Sequence, residues 1–219
     1  MQFTDSNFPS GAFSHSFGLE TFVQQGIVSD ATSFKPFMEG YINQLCYVDG
    51  LAVKLIYNAL DQDDWSKIVE IDELIYCSTI ASESKLGAQR IGQQMLRLYR
   101  ELYPNTLLDQ YANYIKAKDC YGHSCICQAI LLYELKFPFD IAIQTVMYTA
   151  CSTIIQNAVR CIPLGQTDGQ KMFQFAILRC QESMPKIEQL DEKHLGCTSP
   201  LLEVKQMQHE QLHVRLFMS

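Results

Sequence analysis

The residues from Phe139 to Ile162 constrain this chain most. Ile143, Met147, Ala150, Ile154, Ala158 and Ile162 recur at helical spacing along one side, and the opposite side of the run is apolar as well. A helix that is apolar all round has to be enclosed by other elements, so this segment predicts a central helix. Trp65, Ile68, Val69, Asp72, Ile75 and Tyr76 keep the same spacing with Asp72 as the single polar interruption, and Asp63 or Asp64 stands where an N-cap belongs. Leu86, Ile91, Met95, Leu98 and Leu102 form a further stripe that stops at Pro104. Shorter patterns cover 32–45, 50–60, 106–117, 124–136 and 167–182, and strict alternation is rare. The expected fold is all-α, a single-domain helical bundle over residues 1–219 with roughly nine or ten helices.

Charge narrows the partners. The formal net charge is −7, so there is no basic excess to release counterions from a nucleic acid. Proteins are the better partners for such a surface. No stretch approaches the roughly 18 consecutive apolar residues of a membrane span, and MQFTDSNFPSG lacks a basic region followed by an apolar run. Neither nucleic acid nor membrane is expected as a partner, and the expected location is cytoplasmic. The nine cysteines, Cys46, Cys77, Cys120, Cys125, Cys127, Cys151, Cys161, Cys180 and Cys197, are odd in number in a long chain, which favours buried thiols over a disulfide framework.

Three catalytic readings fail on spacing. The loop from Gly165 to Lys171 has three residues between its glycines, Gln170 before the lysine and Met172 after it, whereas a P-loop needs four, then Lys and Ser or Thr. A helix stop at Pro163-Leu164-Gly165 and a new N-cap at Thr167 or Asp168 explain the loop more simply. Ser14-His15-Ser16 has neither a nucleophile elbow nor an assignable orienting carboxylate. Ser14 or Ser16 is better placed to cap a helix beginning near Phe17, with Glu20 in its first turn. Cys120, His123, Cys125 and Cys127 lack the second paired element of a closed zinc site, and His209-Glu210 with His213 is one residue longer than a zinc-protease motif. No catalytic residue and no bound cofactor is assigned. The Cys120 to Cys127 cluster is retained as the metal candidate, and a helical metal- or redox-active enzyme built on it is the alternative reading.

Two end segments resist a packing explanation. Asn7 to Glu20 concentrates small, polar and aromatic residues, and the chain closes on an amphipathic helix followed by the apolar, arginine-bearing VRLFMS. Arg, Phe, Leu and Met suit the core of an interface, so the tail either enters a partner's groove or docks on its own domain. Gln156, Asn157 and Arg160 place polar groups on the central helix, as an internal brace or as part of a partner surface.

These residues resemble the urease accessory protein UreF family. The resemblance is carried by Phe8 to Glu20 (FPSGAFSHSFGLE), Tyr47 to Ala52 (YVDGLA), Arg90-x-Gly92, Asn157 to Gln170 (NAVRCIPLGQTDGQ) and His209-Glu210 followed by Arg215-Leu216-Phe217-x-Ser219. It implies an all-helical, dimer-forming protein that is not an enzyme. UreF-like proteins join a UreD/UreH-type scaffold and the GTPase UreG to load nickel into apo-urease, with UreE as the separate carrier. Nickel is then the metal handled by the complex, and the role is that of a maturation chaperone. The resemblance further implies two partner-binding ends, the N-terminal segment 1–20 and the C-terminal tail 200–219. Gly11, Phe13, His15, Ser16, Gly18, Glu20, His209, Glu210, Arg215, Leu216, Phe217 and Ser219 match segments that engage the scaffold. Arg160, Gln166, Asp168 and Gly169 match a polar block assigned to GTPase recognition or to positioning the tail.

Overall fold

In the computed structural model the described residues are 2–5, 8–104 and 106–219; Asn7, where the N-terminal stretch begins in sequence, lies outside them. The helices are α1 (Leu19–Gln24), α2 (Ala31–Leu45), α3 (Leu51–Asp61), α4 (Trp65–Ser78), α5 (Ser82–Leu102), α6 (Thr106–Ala117), α7 (Ser124–Glu134), α8 (Phe139–Cys161), α9 (Gln166–Glu182), α10 (Met184–Gln189) and α11 (Pro200–His209). Among the described residues no β-strand occurs. The fold is all-α, and one cluster of buried side chains runs through it. No helix among the described residues is long and apolar enough to cross a membrane.

Helix α8 packs against α2, α3, α7 and α9, the central position its two apolar sides require. Ile143, Met147, Ile154 and Ala158 have no exposed surface. Helix α7 is enclosed more completely, since every residue from Cys125 to Leu132 is buried. Asp64 caps α4 by accepting from the Lys67 amide at 3.1 Å. Leu86 and Leu102, counted in the α5 stripe, prove exposed; the inward face of that helix is instead Ser84, Gly87, Ala88, Ile91, Met95 and Tyr99.

The sequence spacing left a gap between 45 and 50, and the structure fills it. Residues Cys46–Gly50 form a π turn that joins α2 and α3 without interrupting the helical path. A π turn inserts one extra residue per turn and re-aims the side chains around it. Gly50 belongs to this turn for a steric reason: a Cβ there would come within 2.8 Å of the Ile187 side chain on α10.

A second close approach holds α5 on the loop before α7. A Cβ on Gly92 would lie 1.9 Å from the Gly122 carbonyl oxygen and 2.9 Å from the His123 carbonyl carbon, so only glycine lets these backbones touch. The same loop is organised by Asp72, the polar interruption on α4, which is fully buried. Its carboxylate accepts from the Tyr121, Gly122 (3.3 Å) and His123 (3.4 Å) amides and from the Tyr111 hydroxyl (3.2 Å). These bonds compensate the burial that pushes the carboxyl upward from its ordinary value.

Gly92→Ala should therefore lower the thermal midpoint, because the obstructing atoms are backbone and cannot rotate away; a cost of about 1–3 kcal/mol is expected. Gly40→Ala, in α2 with nothing within 4 Å of the added carbon, should leave the midpoint unchanged or raise it slightly. Paired thermal melts of the two variants check the assignment.

Candidate functional site

The two chain ends are folded into one another. Gly18 initiates α1 from the left-handed region at φ 91°, with no side-chain cap, so the helix begins at Leu19, later than Phe17. Neither Ser14 nor Ser16 occupies the cap position. Ser16 still contributes by accepting from the Glu20 amide at 3.4 Å, while the Ser14 carbonyl accepts from the Met218 amide at 2.7 Å. The amides of Ser16 and Phe17 both donate to the Ser219 main-chain oxygen, at 2.5 and 3.1 Å. His15 Nδ1 meets Ser219 Oγ at 2.8 Å.

Glu20 is the hub. It is 2% exposed, and its two carboxylate oxygens accept from the Leu216 amide (2.7 Å), the Phe217 amide (3.1 Å) and His209 Nε2 (3.0 Å). His209 has no exposed surface and uses its other ring nitrogen to meet Glu83 of α5 at 2.8 Å. Arg215 extends this network, donating to Glu83 at 2.6 Å and to the carbonyls of Glu210 and Leu212 at 2.5 and 3.2 Å. Hydrogen bonds of this charge-assisted kind exceed neutral ones in strength.

The polar groups on α8 brace the same junction. Asn157 donates to the His15 carbonyl at 2.8 Å, and Arg160 donates to the Phe13 carbonyl at 2.8 Å while its guanidinium lies 5.0 Å from the centre of the Phe217 ring. Gly87 lets His15 approach α5, since a Cβ there would come within 2.7 Å of the ring. Burial, helped by Arg90 and His209 nearby, pushes His15 below its ordinary value, so the imidazole is neutral at pH 7.

Docking decides what each end residue can do. Of the residues matched to scaffold binding, His15, Ser16, Gly18, Glu20, His209, Phe217 and Ser219 face inward and build the junction, whereas Gly11, Glu210, Arg215 and Leu216 are exposed and Phe13 is half-buried. The tail alternates: Phe217 and Ser219 turn in, while Val214, Leu216 and Met218 are 75, 62 and 53% exposed. The result is an apolar edge on a polar, internally satisfied base. In the second block Arg160 is spent on the tail, Gly169 is buried against Val159, and Gln166 and Asp168 stand in the first turn of α9, where Asp168 pairs with Lys171 at 2.9 Å. The N-cap of α9 is Gly165 rather than Thr167 or Asp168.

The cysteine cluster does not converge as four ligands. Cys127 turns its thiol to the Gly92 carbonyl at 3.4 Å, and Cys120 lies beside Asp72. His123 and Cys125 do come together, their Nδ1 and Sγ atoms 3.0 Å apart, and the third residue beside them is Asp49, from the π turn. Nothing in the local sequence links Asp49 to residues so far along the chain; the only signal was its place in the YVDGLA block. All nine cysteines are free, with Cys77 and Cys197 exposed.

The UreF family model matches residues 28–175. The chain belongs to the UreF family of urease accessory proteins. Two similar relatives carry the name urease accessory protein UreF. One, from a Bacillus species, is 45% identical over 219 residues, covering 100% of this chain and 96% of that protein. The other, from Lachnoclostridium phytofermentans, is 40% identical over 220 residues with the same coverage. The joined ends lie outside the segment the family model matches but inside both full-length alignments.

Two outcomes test this geometry. Glu20→Ala should release the tail, so amide exchange at Leu216 and Phe217 should rise sharply while α7 stays protected. The half-buried Asp49 carboxyl, pushed up to about 7 by desolvation, holds a proton in the folded chain that it loses in the unfolded chain above its ordinary value. Its contribution to stability is therefore complete below about pH 4 and fades as pH rises through 7. At pH 8 Asp49→Asn should be more stable than the parent by about 1–4 kcal/mol, with the difference vanishing near pH 4, as read from urea denaturation of both proteins.

Proposed function

We propose that this UreF family member is a non-enzymatic chaperone of urease maturation. In this reading it joins a UreD/UreH-type scaffold and the GTPase UreG, and the complex promotes GTP-dependent assembly of the nickel metallocentre in apo-urease. Nickel is the cargo, the working unit contains a homodimer of this chain, and the setting is the cytoplasm. The observation that carries the proposal is the tail. Its outward Val214, Leu216 and Met218 are exposed to an extent that costs solvation, yet the backbone beneath them is pinned by Glu20, Ser14 and Ser16. A preordered apolar edge lowers the entropy lost on association. Gln166, exposed, and Asp168, paired only within its own helix among the described residues, are the outward part of the block assigned to the GTPase.

The alternative, an enzyme built on Cys120 to Cys127, loses support because the four side chains do not face one site. Burial also pushes the Cys120 thiol up to about 12 and raises those of Cys125 and Cys127 well above their ordinary value, the opposite of an activated nucleophile.

Leu216→Glu tests the scaffold surface without unpairing a buried group. The variant should melt like the parent, because the side chain is exposed, and should lose co-purification with the UreD/UreH-type protein by at least about tenfold, as expected for a hot-spot residue. Full retention of the scaffold would refute the surface. Asp168→Lys should lower UreG recovery while leaving scaffold binding intact; equal recovery of UreG would remove α9 from that contact.

A further inference from the structure

The π turn, the loop before α7 and the start of α7 meet at one cavity of about 150 Å³. Asp49, His123 and Cys125 all line it, and one ligand atom from each lies within 4.8 Å of the other two. Among the described residues no other group of three histidine, cysteine or acidic side chains converges in this way. We propose that Asp49, His123 and Cys125 form a binding site for one first-row divalent metal ion of borderline softness. The proposal does not rest on the urease role, and it adds a site on this chain itself.

The donor set is mixed: carboxylate oxygen, imidazole nitrogen and thiolate sulfur. Such a set suits nickel, cobalt or zinc better than calcium or magnesium, which take oxygen ligands. Bonds of about 2.0–2.3 Å mean that two ligand atoms on one ion lie at most about 4.6 Å apart, and the three ligand atoms here, all within 4.8 Å of one another with His123 Nδ1 and Cys125 Sγ 3.0 Å apart, are close enough for small side-chain rotations to bring them round one ion. Three protein ligands leave a fourth position open to the cavity. At about 30 Å³ per water molecule, the space accepts the ion with water attached.

The site is also built rather than incidental. The π turn aims Asp49 inward, and Asp72 gathers the 121–123 amides that fix the loop carrying His123. His123 is the N-cap of α7, its Nδ1 accepting from the Cys125 amide at 3.3 Å. Gly92 permits α5 to clamp the same loop. Asp49 has the least compensation: among the described residues its own backbone amide is the one hydrogen-bond donor that lowers the carboxyl. A buried carboxylate without a cation or several donors is costly, and a bound cation supplies the missing charge.

A cysteine-protease-like triad of the same three residues is the competing chemistry. It needs a thiolate beside an imidazolium. Here burial raises the Cys125 thiol well above its ordinary value and lowers His123 to about 4, which opposes the ion pair such a triad needs. A metal ion reverses this balance because it carries its own charge: on binding, the thiol proton and any carboxyl proton pass to solvent and the Cys125 sulfur and Asp49 oxygen bond to the ion as anions.

The experiment titrates the reduced, full-length chain with Co²⁺, Ni²⁺ and Zn²⁺ salts, following bound metal by mass spectrometry and the cobalt form by electronic absorption. One ion per chain is expected, with a thiolate-to-cobalt charge-transfer band and tetrahedral d–d bands. Asp49→Asn, His123→Asn and Cys125→Ser should each weaken binding by at least about tenfold; His123→Asn keeps a side chain able to cap α7. Cys197→Ser with His213→Ala, both at exposed positions, should bind as the parent does. Absence of stoichiometric binding, a cobalt spectrum without a thiolate band, or unchanged affinity in Asp49→Asn and Cys125→Ser would each overturn the proposal. The parent's cobalt spectrum decides the matter even if a variant does not fold.

Discussion

A single buried carboxylate, Glu20, holds the two ends of the chain together. Burying a carboxylate is expensive unless donors surround it, and here the donors come from residues 209, 216 and 217, almost two hundred positions away in sequence. The charge requires the tail, and the tail requires the charge. His209 passes the constraint on to Glu83, and Glu83 to Arg215, so α1, α5, α11 and the terminal segment are joined by one connected network. Removing Glu20 would leave His209, which has no exposed surface, without one of its two carboxylate partners and the Leu216 and Phe217 amides without their acceptor.

The network explains why the outer surface of the ends can be apolar. The inward tail positions, Phe217 and Ser219, satisfy packing and hydrogen bonding, which frees the alternate positions for another surface. The cavity beneath is roofed by parts of the same region, since Ser10, Phe17 and Gln206 line it together with Asp49 and His123. An interaction at the joined ends and an event inside the cavity therefore share a wall.

Much of the fold was legible in the sequence, and the unread parts share a cause. Helix α6 was readable because burial on one side imposes a 3.6-residue period, and the long α8 because a helix apolar on both sides must be enclosed by others. The π turn was not, because one extra residue between two well-patterned helices looks like a break in pattern rather than a continuous path. The start of α1 was misplaced because Gly18 begins it through a left-handed backbone rather than through a serine cap. For the candidate site, the residues of both ends were legible through their resemblance to a family, but their inward and outward faces were not, since facing depends on Glu20 and Asn157 finding partners far along the chain. Asp49 was illegible for the same reason: short spacing along the chain links His123 to Cys125 alone, and the fold brings Asp49 to them from the distant π turn.

On the function proposed above, this chain is needed for urease to acquire its metal and does none of the chemistry itself. The most direct test expresses the urease genes and their accessory set with and without this chain, and measures urease activity and urease-bound nickel in the same preparations. Both should fall together when the chain is absent, and the purified chain alone should turn over no urea. Urease fully loaded with nickel in its absence would contradict it.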